Sequence, residues 1–139
     1  METSLLDSVK IIPLPRIQDP RGNLTFAQSD IQIPFNLHRA YWIYDVPEGE
    51  ERGGHSHHQM QQMLVAVAGS FNVNVCDGKN WRTFTLNRPF EGLYIPPGIW
   101  RTLDNFSSGG VCLSLVSTPF EESDYIRDFE EFKRIANNE

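Results

Sequence analysis

Cysteine is scarce in this chain. Cys76 and Cys112 are the only two, and there is no Cys-x-x-Cys pair, so a disulfide framework or a thiolate metal cluster lacks its usual spacing. Both lie in apolar, strand-like runs, where a free thiol behaves as a small hydrophobe, and both are expected to be buried and inert. Basic residues are in the minority: 12 Lys and Arg face 18 Asp and Glu, for a net charge of −6. A nucleic-acid or anionic-membrane partner needs a basic surface, so neither is expected; a local basic pocket for one small anion remains compatible with this balance. No apolar run approaches the roughly 18–20 residues of a transmembrane helix. The opening residues 1–7 lack the basic-then-apolar order of a signal peptide, and a cytoplasmic location is expected. Internal repeats, low-complexity tracts and linkers are missing too.

What is present suits one domain with a real core: 139 residues, 40% hydrophobic and 12% aromatic. Residues 9–14 read as a strand that Pro13 and Pro15 confine to an edge or terminus. Asp19-Pro-Arg-Gly22 marks a turn, residues 23–28 a short strand, and 30–37, broken by Pro34, a loop or edge segment. Residues 38–46 are aromatic and β-branched, a strong strand signal. Arg39, Tyr41, Ile43 and Asp45 share one face of it, and Trp42 and Tyr44 the other. An aromatic strand of this kind is more often core than binding surface. A polar turn over 47–54 leads to the histidine strand and to 62–68. Asp77-Gly78 is the best hairpin signal, between 71–76 and 81–86. Strands over 92–95, 100–103 and 111–117 follow, the last a continuous apolar run. Short strands at even spacing predict an all-β sandwich or small barrel over about 9–118. Ser123 as N-cap, followed by Tyr125, Phe129, Phe132 and Ile135 at helical spacing, predicts one C-terminal α-helix over about 123–136.

The chemistry gathers at Arg52-Gly-Gly-His55-Ser-His57-His58. Side chains alternate along a strand, so His55 and His57 share a face and His58 takes the other. Two converging imidazoles make half of a metal site or an acid–base pair.

These residues resemble the cupin superfamily. Its first motif is a glycine, His-x-His, a Glu and a later glycine; here Gly53, His55, His57, Gln62 and Gly69 take those places. Its second is a glycine, Pro-x-Gly, a His and often an Asn; here Gly92, Pro96, Gly98, Arg101 and Asn105 stand there. The resemblance implies an antiparallel β-barrel or jelly roll in a single cupin domain spanning 1–139. Two of the four metal-ligand positions depart from the pattern. Gln62 offers a neutral carbonyl oxygen, and Arg101 has no lone pair and a fixed positive charge that repels a divalent ion. No metal and no cofactor are expected. The histidines then read as acid–base groups, since an imidazole with a pKa near 6.5 can move a proton at neutral pH.

A narrower resemblance rests on four stretches in order: Arg39-Ala-Tyr-Trp-Ile-Tyr-Asp45, Arg52-Gly-x-His55-x-His57, Gly92-Leu-Tyr-Ile-Pro-Pro-Gly-Ile-Trp-Arg101, and residues 117–132 around Glu122-Ser-Asp-Tyr-Ile-Arg127. The chain is similar there to the metal-independent cupins that isomerise nucleotide-linked keto sugars, the dTDP-4-oxo-6-deoxyglucose 3,4-oxoisomerases. That resemblance implies a 4-oxo sugar becoming a 3-oxo sugar for later amination at C3, in deoxyaminosugar biosynthesis for a lipopolysaccharide or S-layer glycan. It implies His55 and His57 as the proton-transfer pair, a dTDP-linked keto sugar as partner, and a homodimer that exchanges N-terminal strands. Arg39 and Arg52 are candidates for the diphosphate, because a guanidinium binds phosphate oxygens in bidentate fashion. Tyr44 is the aromatic candidate for stacking on the base, and Tyr94, Gln62 and Arg101 complete the substrate-binding set. Arg101 stands where relatives often carry His, which leaves the second proton donor and the C4 epimer open. Competing readings are a non-catalytic sugar-nucleotide-binding module, which the Arg101 departure favours, a cupin epimerase on a related sugar nucleotide, and a metal-dependent cupin dioxygenase, which Gln62 and Arg101 oppose.

Overall fold

The computed structural model describes residues 4–138; residues 1–3, part of the opening stretch read against a leader, and residue 139 lie outside them. The strands run in order β1 (Lys10–Pro13), β2 (Arg16–Ile17), β3 (Leu24–Thr25), β4 (Arg39–Ile43), β5 (Arg52–His57), β6 (Gln62–Ala68), β7 (Phe71–Cys76), β8 (Trp81–Leu86), β9 (Glu91–Ile95), β10 (Trp100–Asp104), β11 (Val111–Val116) and β12 (Tyr125–Ile126), followed by the helix α1 (Phe129–Ala136). Two five-stranded sheets form, in the orders β1-β9-β6-β11-β4 and β12-β5-β10-β7-β8, with β2 and β3 as a separate small ribbon. Every pairing between named strands is antiparallel. The all-β architecture with one C-terminal helix is therefore the one expected from the strand spacing.

The main core lies between the sheets. Leu64 and Ala66 of β6, Leu93 and Ile95 of β9 and Cys112 of β11 meet Phe71, Val73 and Val75 of β7 and Leu103 of β10. β6 is buried on both faces, because its alternate residues Met63 and Val65 face outward into a second cluster with Leu14, Ile33, Phe35 and Leu115. The segment between β1 and β4 thus covers the outer face of the first sheet, and β1, with Pro13, holds an edge as its prolines require. Cys76 and Cys112 are unpaired and buried, in different clusters.

The C-terminal segment differs from its sequence reading. The helix starts at Phe129, not at 123, and its N-cap is Asp128, whose carboxylate accepts from the Glu130 and Glu131 amides. Residues before it form a 3-10 turn, Glu122–Asp124, and then β12. The helical spacing of Tyr125 with Phe129 is fortuitous: Tyr125 and Ile126 pair instead with His57 and Ser56 of β5. Asp124 secures that pairing, accepting from the Gln59 amide at 2.8 Å and the Met60 amide at 3.1 Å. Phe132 packs with Trp100, Cys76 and Ile126 and fastens the helix to the outer face of the second sheet.

Candidate active site

Five strands deliver the site. Arg39, Tyr41 and Ile43 point inward from β4, His55 and His57 from β5, Gln62 from β6, Arg101 and Leu103 from β10, and Tyr125 from β12. A cleft of about 890 Å3 is lined by Arg39, Tyr41, Tyr44, Arg52, His55 and Tyr125 among others. A much smaller hollow behind it is bounded by Tyr41, His55, Gln62 and Arg101.

A β-bulge places Arg52 in this cleft. Three residues before His55, it would face away in a regular strand. The register slips between the pairs Arg101–His55 and Leu103–Arg52, so β5 carries one extra residue against β10. Gly53 absorbs it with φ of +74°, a left-handed value that favours glycine. Arg52 thereby joins the histidine face.

Arg101 is the deepest charge among the described residues, 2% exposed. Its Nη1 donates to Gln62 Oε1 at 2.6 Å and to His57 Nδ1 at 3.0 Å. Its Nε and Nη2 are buried without a partner. No carboxylate forms an ion pair with it among the described residues. Burial draws its pKa down to about 10, while the Tyr41 and Tyr125 phenols oppose that; the guanidinium stays charged at neutral pH. Gln62 is itself held on the other side, its Nε2 donating to Tyr41 Oη at 2.9 Å and Ser114 Oγ at 2.6 Å.

The two imidazoles lie edge to face with centroids 4.7 Å apart. A guanidinium only donates, so His57 Nδ1 must accept from Arg101, and the neutral ring carries its proton on Nε2. The Nε2 atoms of both rings are buried with no partner. Burial, then the Arg101 and Arg127 charges, push the His55 pKa down to about 3. The same causes, with His55 and Arg39 added, depress His57 further. Both rings are therefore neutral across the physiological range, with one able to accept a proton at Nε2 and the other to donate from it.

Tyr125 has the spacing of a helix residue and is not among the site residues expected from the sequence. It pairs in register with His57, and its ring packs on His57 at 4.5 Å and on His55 at 5.1 Å. Arg39 Nη2 donates to its hydroxyl at 3.2 Å, and Arg127 lies over its ring at 4.4 Å. Tyr41 is legible in the sequence as sharing the Arg39 face, but its bond to Gln62 is not. Arg127 also lines the cleft, and is tied to Glu122 by two bonds of 2.8 and 3.0 Å.

One member of the expected set falls elsewhere. Tyr94 faces the outer side of the first sheet, beside Phe35, with its hydroxyl donating to Gln61 Oε1 at 2.7 Å. The inward residues of β9 are Leu93 and Ile95, so parity turns Tyr94 away from the histidine pocket. Tyr44 reaches the cleft at its outer rim; it and Trp42 are each 60% exposed, so this aromatic strand is not core on that face. Arg39 and Arg52 both line the cleft, and neither forms an ion pair among the described residues.

The cupin fold implies a divalent metal here, and the donor set does not suit one. Of the four ligand positions, Arg101 has no lone pair to offer, and its cationic Nη1 already binds His57 Nδ1 and Gln62 Oε1, which sets a fixed positive charge among the remaining donors. Among the described residues no group of three or more His, Cys, Asp or Glu side chains could hold a metal.

Comparison with known proteins places the chain in a family. The sequence model of the FdtA family, described as WxcM-like, C-terminal, matches residues 7–137. The chain belongs to that family. A curated relative, TDP-4-oxo-6-deoxy-alpha-D-glucose-3,4-oxoisomerase of Aneurinibacillus thermoaerophilus, is 38% identical over 125 residues, covering 90% of each chain. The crystal structure of a 3,4-ketoisomerase from Helicobacter canadensis superposes with a TM-score of 0.90 at 39% identity, over 93% of this chain and 97% of that one. The 3,4-ketoisomerase QdtA of Thermoanaerobacterium thermosaccharolyticum, solved as a histidine-to-asparagine variant with TDP-4-keto-6-deoxyglucose, gives 0.92 at 35% identity over 94% of both chains. The fold is thus the cupin barrel that the two glycine-rich motifs imply.

Proposed function

We propose that this protein is an isomerase that converts a dTDP-linked 4-oxo-6-deoxy sugar into its 3-oxo isomer by metal-independent histidine acid–base catalysis. The observation that carries the reading is the juxtaposition of two neutral imidazoles with free Nε2 atoms and a buried guanidinium with free Nε and Nη2 donors. The family membership and the named activities of the relatives support it.

The steps balance without a redox cofactor. The C4 carbonyl acidifies the C3–H bond. His55 Nε2 takes that proton, the C3–H electron pair becomes the C3–C4 double bond, and the carbonyl pair moves onto O4. Arg101 donates to the oxyanion that develops. O4 takes up a proton and O3 gives one up; the C3–O3 bond becomes the new carbonyl and C4 receives a proton. His57, which carries a proton on Nε2, is assigned to supply it. His55 is assigned as the base because its ring is committed to no hydrogen bond and can present a lone pair at Nε2, whereas the lone pair of His57 already serves Arg101. Arg39 and Arg52 bind the diphosphate at the cleft mouth, and Tyr44 at the rim is positioned for the base. The product is a substrate for amination at C3, in the cytoplasm, where nucleotide-activated sugars are made.

Incubation of the chelator-treated protein with dTDP-4-oxo-6-deoxyglucose in deuterated water, followed by NMR, tests the reaction. The expected result is a 3-oxo product carrying solvent deuterium at C4. A protein that binds the nucleotide sugar yet shows neither product nor exchange at C3 would sink the assignment.

The working unit is proposed to be a homodimer. The outer face of the first sheet leaves Trp42 60% and Val67 44% exposed, and Ile17 and Leu24 of the small ribbon are exposed at 55% and 54%. An apolar hollow of about 460 Å3 lies beside them, lined by Val65, Val67, Phe90 and Leu113. An apolar face of this kind marks an interaction surface. β1 pairs with β9 at the sheet edge, and exchange of β1 between two copies would preserve that register. Light scattering should give a dimer mass for the native protein and a monomer mass for Val67→Glu. A native monomer at micromolar concentration would remove the proposal.

A further inference from the structure

A buried guanidinium normally faces a carboxylate, because an uncompensated charge out of water is costly. Arg101 instead meets two neutral acceptors, Gln62 Oε1 and His57 Nδ1. Packing does not require that neutrality. A glutamate at position 62 is isosteric with glutamine. The Gln62 Nε2 partners, Tyr41 Oη and Ser114 Oγ, are hydroxyls, which accept from an amide but can rotate to donate to a carboxylate oxygen. The same space would then hold a hydrogen-bonded, ion-paired glutamate. The amide orientation is also determined: the reverse flip would set an NH2 group against the guanidinium.

We infer that Gln62 is a positioning residue whose neutrality leaves the Arg101 cation uncompensated at the reacting centre, while its carbonyl oxygen anchors Nη1 and frees Nη2 and Nε for the substrate. The inference rests on the isomerase reading for its catalytic consequence but not for its electrostatic one. The charged and titratable groups facing this pair are Arg39 and Tyr41 of β4, His55 and His57 of β5, Tyr125 of β12 and Arg127 beyond it. The carboxylates of Asp45, Glu50 and Glu51, with Arg52, line the wider cleft but not the hollow that Gln62 and Arg101 bound, and none of them pairs with Arg101. An intact Arg101 charge therefore acts in two ways. It stabilises negative charge arriving with the enediolate, and it adds to burial in holding the histidines unprotonated. A carboxylate at position 62 would oppose both.

The test compares Gln62→Glu with the neutral control Gln62→Met, using turnover of dTDP-4-oxo-6-deoxyglucose and the imidazole nitrogen signals in NMR titrations. Gln62→Glu is expected to lower kcat about 100-fold, as loss of an oxyanion donor does, with KM within about threefold. Its His57 ring should titrate at a pH at least about one higher than in the native protein, as a nearby anion dictates. Gln62→Met loses the anchor but adds no charge, so its kcat falls about tenfold, the cost of one hydrogen bond, and its histidines titrate as in the native protein. Native turnover in Gln62→Glu, an unmoved His57 titration, an effect on KM alone, or equal losses in both variants would each overturn the inference. So would a Gln62→Glu chain that does not fold, because isosteric acceptance of the carboxylate is part of the argument. If the native protein does not isomerise the sugar, the isomerase reading fails and the histidine titration still decides the charge inference.

Discussion

Replacing His55 with asparagine should reduce turnover by about 10³–10⁴-fold, the upper range for loss of a general base. Asparagine is close in size to the first part of the imidazole but cannot take a proton from carbon. His55 makes no hydrogen bond that its loss would leave unpaired, and its Nε2 is free in the native protein. The fold and KM are therefore expected to survive, and the loss to fall on kcat. Exchange of the C3 proton with deuterated water should vanish together with product formation. Persisting exchange in His55→Asn would move the base to another group. The same assignment makes a pH prediction. Burial and the Arg101 charge hold His55 down at about 3, so the imidazole stays in its basic form far below the usual histidine value of 6.5. Activity should thus stay level as the pH falls from 8 through 6.5, with no acid limb at the ordinary histidine pKa. A limb centred near 6.5 would show an exposed, unperturbed base instead.

Arg101→Met should cost about 10²–10³-fold in kcat, as loss of an oxyanion donor does. Its effect on stability should be small, which is unusual for a residue 2% exposed. The reason is that two changes oppose each other. Methionine leaves the acceptors His57 Nδ1 and Gln62 Oε1 without their donor, at about 1–3 kcal/mol for a buried unsatisfied group. It also removes a desolvated cation with no counter-ion, and replacing buried charges by apolar residues of similar volume is often neutral or stabilising. Denaturant titration and turnover on the same sample check both halves. A variant that unfolds would assign Arg101 a structural role; one that retains native kcat would remove it from the chemistry. A second consequence concerns the histidines. Without the guanidinium beside them, the rings lose one of the causes that depress them, and both should titrate higher than in the native protein.

Much of the fold and part of the site are legible in the sequence, for local reasons. Alternation along β4 and β5 follows from backbone geometry alone, so the order of residues is enough to put Arg39 with Tyr41, and His55 with His57, on shared faces. Turn chemistry at Asp77-Gly78 locates the β7–β8 hairpin, and apolar continuity marks β11 as a strand within a sheet. The departures at Gln62 and Arg101 from the cupin ligand pattern are also plain, because a guanidinium cannot coordinate a cation wherever it sits.

Tertiary structure decided the rest. Strand parity in β9 is readable, but which of its faces meets the pocket is not, and Tyr94 goes to the outer side against Phe35. A bulge at Gly53 turns Arg52 onto the histidine face, an outcome that depends on pairing with β10. Tyr125 has a helical spacing to Phe129 and Phe132, and long-range pairing with β5 overrides it, because backbone bonds to a neighbouring strand are not encoded in local periodicity. Above all, an arginine at position 101 brings a fixed positive charge to any fold, and it is the assembled barrel that buries this charge against Gln62 and His57 with no anion paired to it among the described residues. Desolvation and the distances between strands far apart in the chain set that balance, and neither quantity exists until the sheets close.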